Sequence, residues 1–152
     1  MPCNTLQLSI YSQEIPVPKM IFVNLPITHL AASITFYEAL GASKNPKFSD
    51  ETSACMVFSE FIHVMLLTHE KYRNFTSRPI ADAHASSAGL IALAVDSRDD
   101  VNATISRAAA AGGQADPNPS QDLGFMFGRS VQDPDGHVWE IFWMDATASG
   151  GA

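Results

Sequence analysis

One carboxylate in this chain is placed where it could carry acid–base chemistry. Glu140 lies inside an apolar, strand-like segment, between Trp139 and Ile141. Burying a carboxylate without a partner costs several kcal/mol, so Glu140 must be hydrogen-bonded, ion-paired, protonated or open to a wet cavity. Two interpretations follow. In the structural one Glu140 pairs with Arg129 or Asn24, and in the functional one it acts as a general base.

Histidine is the other residue type that could act as a base or a metal ligand, and the chain has five of them. His63 and His137 fall on the opposite strand faces from the residues expected in a cavity, because strand side chains alternate. His29 begins a predicted helix, His69 ends a predicted strand and His84 lies in a polar linker. We therefore expect all of them at the surface or at a sheet edge rather than in a site.

The chain repeats one order of elements, which indicates an internal duplication. Residues 20–69 and 89–145 each read as a strand, a helix and then further strands, and residues 70–88 form a polar linker between these modules. Residues 1–19 and 146–152 are predicted to be an irregular extension and a tail. The predicted class is α+β, a duplicated β-α-β-β-β unit.

The boundaries of the elements follow from apolar spacing and turn residues. Thr28 and Ser97 are the predicted helix N-caps, and Gly41 is typical of a helix end. Residues 133–136, Asp-Pro-Asp-Gly, predict a tight turn. The predicted strands span residues 20–27, 43–48, 54–59, 62–68, 90–95, 124–132 and 137–144.

Composition excludes several function classes. The 152 residues are 46% hydrophobic and 16% charged, which is typical of one folded domain and not of a disordered chain. A net charge of −7 without a basic run argues against nucleic acid and against an anionic membrane surface as partners. No apolar run approaches the roughly 20 residues of a membrane span. Cys3 and Cys55 are too few for a disulfide framework, so we expect reduced thiols and a cytoplasmic protein.

Three segments resemble the glyoxalase, bleomycin-resistance and extradiol-dioxygenase superfamily, also called vicinal oxygen chelate proteins. They are residues 27–37 (ITHLAASITFY), 89–95 (GLIALAV) and 133–140 (DPDGHVWE). The resemblance extends from about Lys19 to Asp145 and is closest to the branch described as predicted lactoylglutathione lyases. It implies paired βαβββ modules that form a cupped mixed sheet around a central cavity, within one chain or across a dimer.

The resemblance also implies a divalent metal, held by one residue from the first and one from the last strand of each module. Those positions fall on Phe22, Leu66, Leu90 and Glu140. Phenyl and isobutyl groups donate no electron pair, and metals of this class need several nitrogen or oxygen donors. We therefore expect no cofactor, and a member of this superfamily that is either metal-free or has a non-standard metal site.

Alternation of strand side chains predicts which residues line the implied cavity. They are Phe22, Asn24, Leu66, Thr68, Leu90 and Phe142, around Glu140. Apolar walls with a few polar groups are typical of a small-molecule site. The predicted function is therefore binding of a small, partly apolar molecule, with metal-independent lyase or isomerase chemistry at Glu140 if the protein is an enzyme.

Other functions remain open at this point. The alternative is a non-catalytic binding protein of the drug-sequestering kind, with which the acidic charge is compatible. An extradiol dioxygenase is less favoured, because it needs two histidines beside the glutamate. Trp139 and Trp143 lie on the outer strand face and are predicted to seal a module or subunit interface, and we expect a homodimer.

Overall fold

The computed structural model describes residues 16–148 and confirms the α+β class. Residues 1–15 and 149–152 lie outside the described part, and with them Cys3, most of the predicted extension and the end of the predicted tail. Cys55 is a buried free thiol, and burial raises its pKa. None of the helices within residues 16–148 is long and apolar enough to cross a membrane.

The first half of the chain forms a four-stranded mixed sheet in the order β1-β4-β3-β2. Its elements are β1 (Ile21–Ile27), α1 (Leu30–Leu40), β2 (Ser43–Asn45), a 3-10 turn (Pro46–Phe48), β3 (Ser53–Val57), β4 (Ile62–Thr68) and α2 (His69–Tyr72). Strands β1 and β4 pair in parallel, whereas β3 pairs antiparallel with both β4 and β2.

The second half forms a sheet in the order β5-β9-β8-β6, with β7 also paired to β8. Its elements are β5 (Ile91–Ala94), α3 (Arg98–Ala110), β6 (Gln114–Ala115), β7 (Gln121–Asp122), β8 (Met126–Gln132) and β9 (Val138–Met144). Strands β5 and β9 pair in parallel, as β1 and β4 do. The first and last strands of each half are therefore neighbours.

Several element boundaries differ from the sequence prediction. The predicted strand 43–48 stops at Asn45, because Pro46 cannot donate to a sheet and opens the 3-10 turn. Ser97 caps α3 as predicted, since its side chain accepts a hydrogen bond from the backbone of Asp100. The predicted cap at Thr28 is wrong, because the N-cap of α1 is His29.

One hydrophobic core is shared by both halves. Helix α1 packs against α3, and Phe36 of α1 belongs to the same buried cluster as Ile105 of α3 and Ile141 of β9. Trp139 is only 1% exposed and packs against Tyr37 and Phe58. The expectation that Trp139 seals a module or subunit interface is therefore confirmed for the interface between the two modules and wrong for a subunit interface, because its indole fills the shared core.

A buried hydrogen-bond network joins the predicted Asp-Pro-Asp-Gly turn to α1. The hydroxyl of Tyr37 donates to Oδ2 of Asp133 at 2.9 Å, and it accepts from Nε1 of Trp139 at 3.2 Å. Oδ1 of Asp133 accepts from the backbone of Asp135 and His137 at 2.9 and 2.8 Å. Burial raises the pKa of Asp133 and raises the pKa of Tyr37 well above its ordinary value. The network holds the two halves together at the turn.

The same turn also fixes the start of α1. Oδ1 of Asp135 accepts from the backbone and hydroxyl of Thr28 at 2.9 and 2.7 Å. Nε2 of His137 lies 2.8 Å from the carbonyl oxygen of Pro26. Thr28 is therefore committed to the turn of the second half and not to capping its own helix.

The linker between the halves is held against this turn. The ring of His84 lies 3.2 Å from the carbonyl oxygen of Pro134 and 3.3 Å from the amide nitrogen of Gln132. At Gly136, where φ is +96°, an added Cβ would lie 2.5 Å from the backbone nitrogen of His84. A glycine is required here because the linker backbone approaches so closely.

Candidate functional site

Strand register decides which residues share a sheet face with Glu140. Ala92 of β5 pairs with Glu140 of β9, and Ala94 pairs with Phe142. Residues paired in a parallel ladder point to the same side, and alternate residues along a strand do as well. Glu140 and Phe142 therefore lie together on the face opposite the core residues Trp139 and Ile141. This is the face expected from the sequence.

The carboxylate of Glu140 makes no hydrogen bond or ion pair with any residue in the range 16–148. The interpretation that pairs it with Arg129 is wrong, because that guanidinium lies on the other face of the sheet. There it binds Asp116 at 2.7 Å and Asn102 at 2.9 Å. Asn24, the other suggested partner, forms no such bond either within the same range. A half-buried carboxylate without a protein partner is free to meet a ligand.

Leu66 was expected in the cavity, and the structure places it on the other side of its sheet. Leu66 pairs with Leu25 in the parallel β1–β4 ladder, whereas Asn24 pairs with Met65. Leu66 is 0% exposed and belongs to the helix-side core. Met65, one residue earlier, therefore occupies the position that corresponds to Glu140.

Thr68 was also expected in the cavity, and it has a local role instead. It shares the helix-side face with its ladder partner Ile27. Its hydroxyl oxygen accepts a hydrogen bond from the backbone of Lys71 at 3.3 Å, and so caps α2. Phe22, Asn24, Leu90 and Phe142 remain as residues on the faces that the prediction assigned to ligand binding.

His63 is a buried residue whose environment differs from the one expected from the sequence. Its ring stacks on Phe22, with ring centroids 4.4 Å apart and planes 11° apart. His63 is 8% exposed, and its buried Nδ1 atom has no hydrogen-bond partner among residues 16–148. The expectation of a surface or edge histidine is therefore wrong, since His63 lies on the same sheet face as Phe22, which is 50% exposed.

A cavity of about 570 Å³ lies where β1, the start of β5 and the start of β9 meet the linker. Its walls include Asn24, Leu90 and Val138. Glu140 follows Val138 on the same face of β9, about 7 Å further along the strand. The cavity therefore includes two of the predicted ligand-binding residues and lies beside the predicted base.

The linker forms one whole wall of this cavity, a role that its sequence does not indicate. Its wall residues are Tyr72, Thr76, Arg78, Pro79, Ile80, Ala81, Ala83, Ser86, Ser87 and Ala88. Pro and Ser composition predicts only an irregular connection. Nothing in that composition shows that His84 would anchor the segment against the turn of the second half.

The residues at the implied metal positions do not fit a divalent metal. With Met65 in place of Leu66, the positions hold Phe22, Met65, Leu90 and Glu140, which provide one oxygen donor and a thioether. Across residues 16–148, no group of three or more histidine, cysteine, aspartate and glutamate side chains could hold a metal ion. Divalent metals of this class need more donors, so no step is assigned to a metal.

Comparison with known proteins identifies the family to which this fold belongs. The family model for the glyoxalase/bleomycin resistance protein/dioxygenase superfamily matches residues 19–141. No curated protein matches the chain at a significant level.

Solved structures of similar fold agree with this family match. A glyoxalase-related enzyme from Fulvimarina pelagi is 22% identical, with a TM-score of 0.69 over 84% of this chain and 88% of its own. A glyoxalase/bleomycin resistance protein/dioxygenase family enzyme from Burkholderia phytofirmans is 17% identical, with a TM-score of 0.68 over 84% and 99%. A fosfomycin resistance protein from Mesorhizobium loti is 15% identical, with a TM-score of 0.61 over 88% and 98%. At these identities the neighbours show the fold, and the family match shows membership: the chain belongs to the glyoxalase/bleomycin resistance protein/dioxygenase superfamily.

Proposed function

We propose that this protein binds a small, partly apolar molecule in the cavity beneath the linker, with one end of the molecule at Glu140. The observation that carries the proposal is the unpaired carboxylate of Glu140 beside an apolar cavity of about 570 Å³. Cavities of about 300–1,000 Å³ with apolar walls and a few polar groups are typical of small-molecule sites. Val138 and Leu90 supply apolar wall, and Asn24 supplies an unengaged amide.

The chemistry that this arrangement supports is proton transfer next to a carbonyl group. The Glu140 carboxylate takes a proton from the carbon beside the carbonyl, and the electron pair of that C–H bond forms the enolate double bond. The negative charge moves to the carbonyl oxygen, where the Asn24 amide could donate a hydrogen bond. Return of the proton to the other face of the same carbon completes an isomerisation at that carbon (an epimerisation) without any oxidant or metal.

A non-catalytic binding protein is the second candidate. The same free carboxylate, with Phe142 beside it on the sheet face, could hold a cationic ligand by charge and ring contact. The net charge of −7 favours approach of a cation. This role needs Glu140 for affinity and does not need it to accept a proton.

We also propose that the protein is a homodimer. An apolar patch lies at the N-terminal ends of β1 and β4, where β1 is the edge strand of the sheet formed by the described residues. It consists of Met20, Ile21, Phe22, Phe61 and Ile62, all of them exposed. A contiguous exposed patch of large apolar side chains is typical of an interface, and a second copy would cover it.

Sedimentation equilibrium tests the dimer. The native chain should sediment as a dimer, and Ile21→Asp should give a species of 16.4 kDa. Phe48→Asp, at an exposed phenylalanine outside the apolar patch, is the control and should leave the dimer intact. A monomeric native chain at micromolar concentration would overturn this part of the proposal.

The function is tested with 2-hexanone, a small apolar carbonyl compound, in D2O. If Glu140 is a base, the native protein should accelerate loss of the NMR signals of the protons beside the carbonyl. Glu140→Gln should abolish this acceleration and still bind 2-hexanone, whereas Glu60→Gln, at an exposed glutamate, should behave as the native protein. Binding without acceleration would support the non-catalytic candidate, and no binding to the native protein would reject the proposed site.

A further inference from the structure

The charge distribution around the cavity is uneven. Arg78 is the one wall residue within residues 16–148 that carries a full charge at neutral pH, and no aspartate or glutamate lines this cavity. The chain as a whole has a net charge of −7. An apolar cavity whose charged wall group is an arginine is therefore unusual in this molecule.

Arg78 has no protein partner in the described range of 16–148. The arginines that form ion pairs there are Arg98, with Asp122 at 2.6 Å, and Arg129, with Asp116 at 2.7 Å. The backbone of Arg78 is fixed, because its N–H donates to the hydroxyl oxygen of Thr76 at 3.1 Å. Pro79 follows and restricts the conformation further. The side chain thus extends from a restrained backbone with its guanidinium unpaired.

We propose that the ligand of this cavity is a small organic acid, whose carboxylate is held by Arg78 and whose apolar body lies along Leu90 and Val138. This inference rests on the proposed function, because it names the class of molecule that the same cavity takes. A planar guanidinium matches a carboxylate with two parallel hydrogen bonds. Glu140 repels the acid group, so the carboxylate lies at the linker end and the other end of the molecule points to β9.

A neighbouring cavity of about 640 Å³ provides a contrast. Arg73 lines it together with Asp82 and Asp135, so its charges are mixed. Arg73 is exposed and unpaired within residues 16–148, as Arg78 is. Because Arg73 carries the same charge close by without lining the first cavity, it is the matched control for nonspecific attraction of anions.

The experiment compares three probes of the same length on the full chain: hexanoate, hexanamide and hexylammonium. Affinities are measured by NMR titration of backbone amides, including those of Leu90 and Val138. Hexanoate should bind the native protein roughly 10-fold or more tighter than hexanamide, the range expected for hydrogen bonds to a charged group. Arg78→Gln should remove this preference and leave hexanamide binding unchanged, and Arg73→Gln should preserve the preference.

The other outcomes separate this inference from the function on which it rests. If hexanamide binds as tightly as hexanoate, or if Arg73→Gln and Arg78→Gln weaken hexanoate equally, the acid preference is overturned while the cavity remains a binding site. If hexylammonium binds tightest, the ligand is a cation and the inference is also overturned. If none of the probes shifts the amides of the cavity wall, the proposed function fails with it.

Discussion

The hydroxyl of Tyr37 in α1 donates a hydrogen bond of 2.9 Å to Oδ2 of Asp133, across 96 residues of sequence. Both side chains are buried, and the same hydroxyl accepts from Nε1 of Trp139. An aspartate so enclosed depends on these donors, because water does not reach it. The Asp-Pro-Asp-Gly motif therefore does more than reverse the chain, since it connects the second module to the helix of the first.

Tyr37→Phe should destabilise the protein by about 1–3 kcal/mol, because it removes the hydrogen bonds that the hydroxyl makes with Oδ2 of Asp133 and with the Trp139 indole. Urea unfolding followed by tryptophan fluorescence measures the free energy of unfolding. Tyr72→Phe is the matched control, since the Tyr72 hydroxyl makes no hydrogen bond with residues 16–148. Equal stabilities for the two variants would contradict the role of the network.

The raised pKa of Asp133 predicts a pH dependence of stability. Between its ordinary value of 3.8 and the raised value, the folded protein binds more protons at this site than the unfolded chain. The site's contribution to the free energy of unfolding is therefore fully present below 3.8 and is lost as the pH rises through the folded pKa.

The measurement is the difference in unfolding free energy between the native protein and Asp133→Asn, taken from pH 7 down to pH 4. This difference should grow as the pH falls. The pKa values of Asp50 and Asp122 are lowered to about 2, so these residues make the protein less stable as the pH falls. They do so equally in the native protein and in Asp133→Asn, and their effect cancels in the difference. A difference that is flat or shrinks toward acid would contradict burial as the dominant effect on Asp133.

Gly136→Ala should destabilise the protein and displace the linker from the turn that contains residue 136. A Cβ there would lie 2.5 Å from the backbone nitrogen of His84 and 2.6 Å from the carbonyl carbon of Ala83. Gly41→Ala is the control, because φ is +118° there and no atom of residues 16–148 would lie within 4 Å of the added Cβ. Gly41→Ala should lower the free energy of unfolding by only about 1–2 kcal/mol, the cost of a left-handed backbone conformation for a residue with a Cβ.

Two readouts separate strain from displacement of the linker. Gly136→Ala should lose more unfolding free energy than Gly41→Ala, and trypsin should cleave its linker after Arg73 faster than in the control. If the two variants are cleaved at the same rate, the contact between Gly136 and the linker does not hold the cavity wall in place.

Elemental analysis of the purified protein tests whether it binds a metal ion. We expect the purified protein to hold no stoichiometric zinc, nickel, iron or manganese, because Glu140 stands alone among the implied ligand positions as a strong donor. The triple change Phe22→His, Met65→Glu and Leu90→His supplies the missing donors and should create a metal-binding protein. Leu66→Glu in place of Met65→Glu should unfold the chain, because it buries a charge. A stoichiometric ion retained by the native protein through dialysis would contradict the expectation.

The contrast between β9 and β4 shows how far the sequence can predict the site. In β9 the polar Glu140 fixes which alternate residues face away from the core, so Glu140 and Phe142 are placed correctly. In β4 the run Val64–Leu67 is apolar at every position, because residues on both faces are buried. Such a run has no alternation of polar and apolar residues to show which residues face the helices. The predicted faces of β4 are therefore shifted by one residue, and Leu66 was assigned to the cavity face instead of the core face.

The contacts of the linker and the N-cap of α1 were less predictable for a different reason. Thr28 is a good N-cap by residue type, yet it serves Asp135, which lies 107 residues away. His84 contacts Pro134 across 50 residues. Contacts at such separations depend on the assembled modules, whereas local spacing records only the duplication and the order of elements.

The shared core has a consequence for how this protein can be divided or rearranged. Phe36 and Ile141 belong to one buried cluster although they come from different repeats, so either repeat expressed alone would present that cluster to water. Neither half should be an autonomous folding fragment, and mixtures of the separate halves should gain structure only together. The chain should therefore unfold in one cooperative transition. Replacing one repeat by that of a related protein would require matching changes in the core residues of the other repeat.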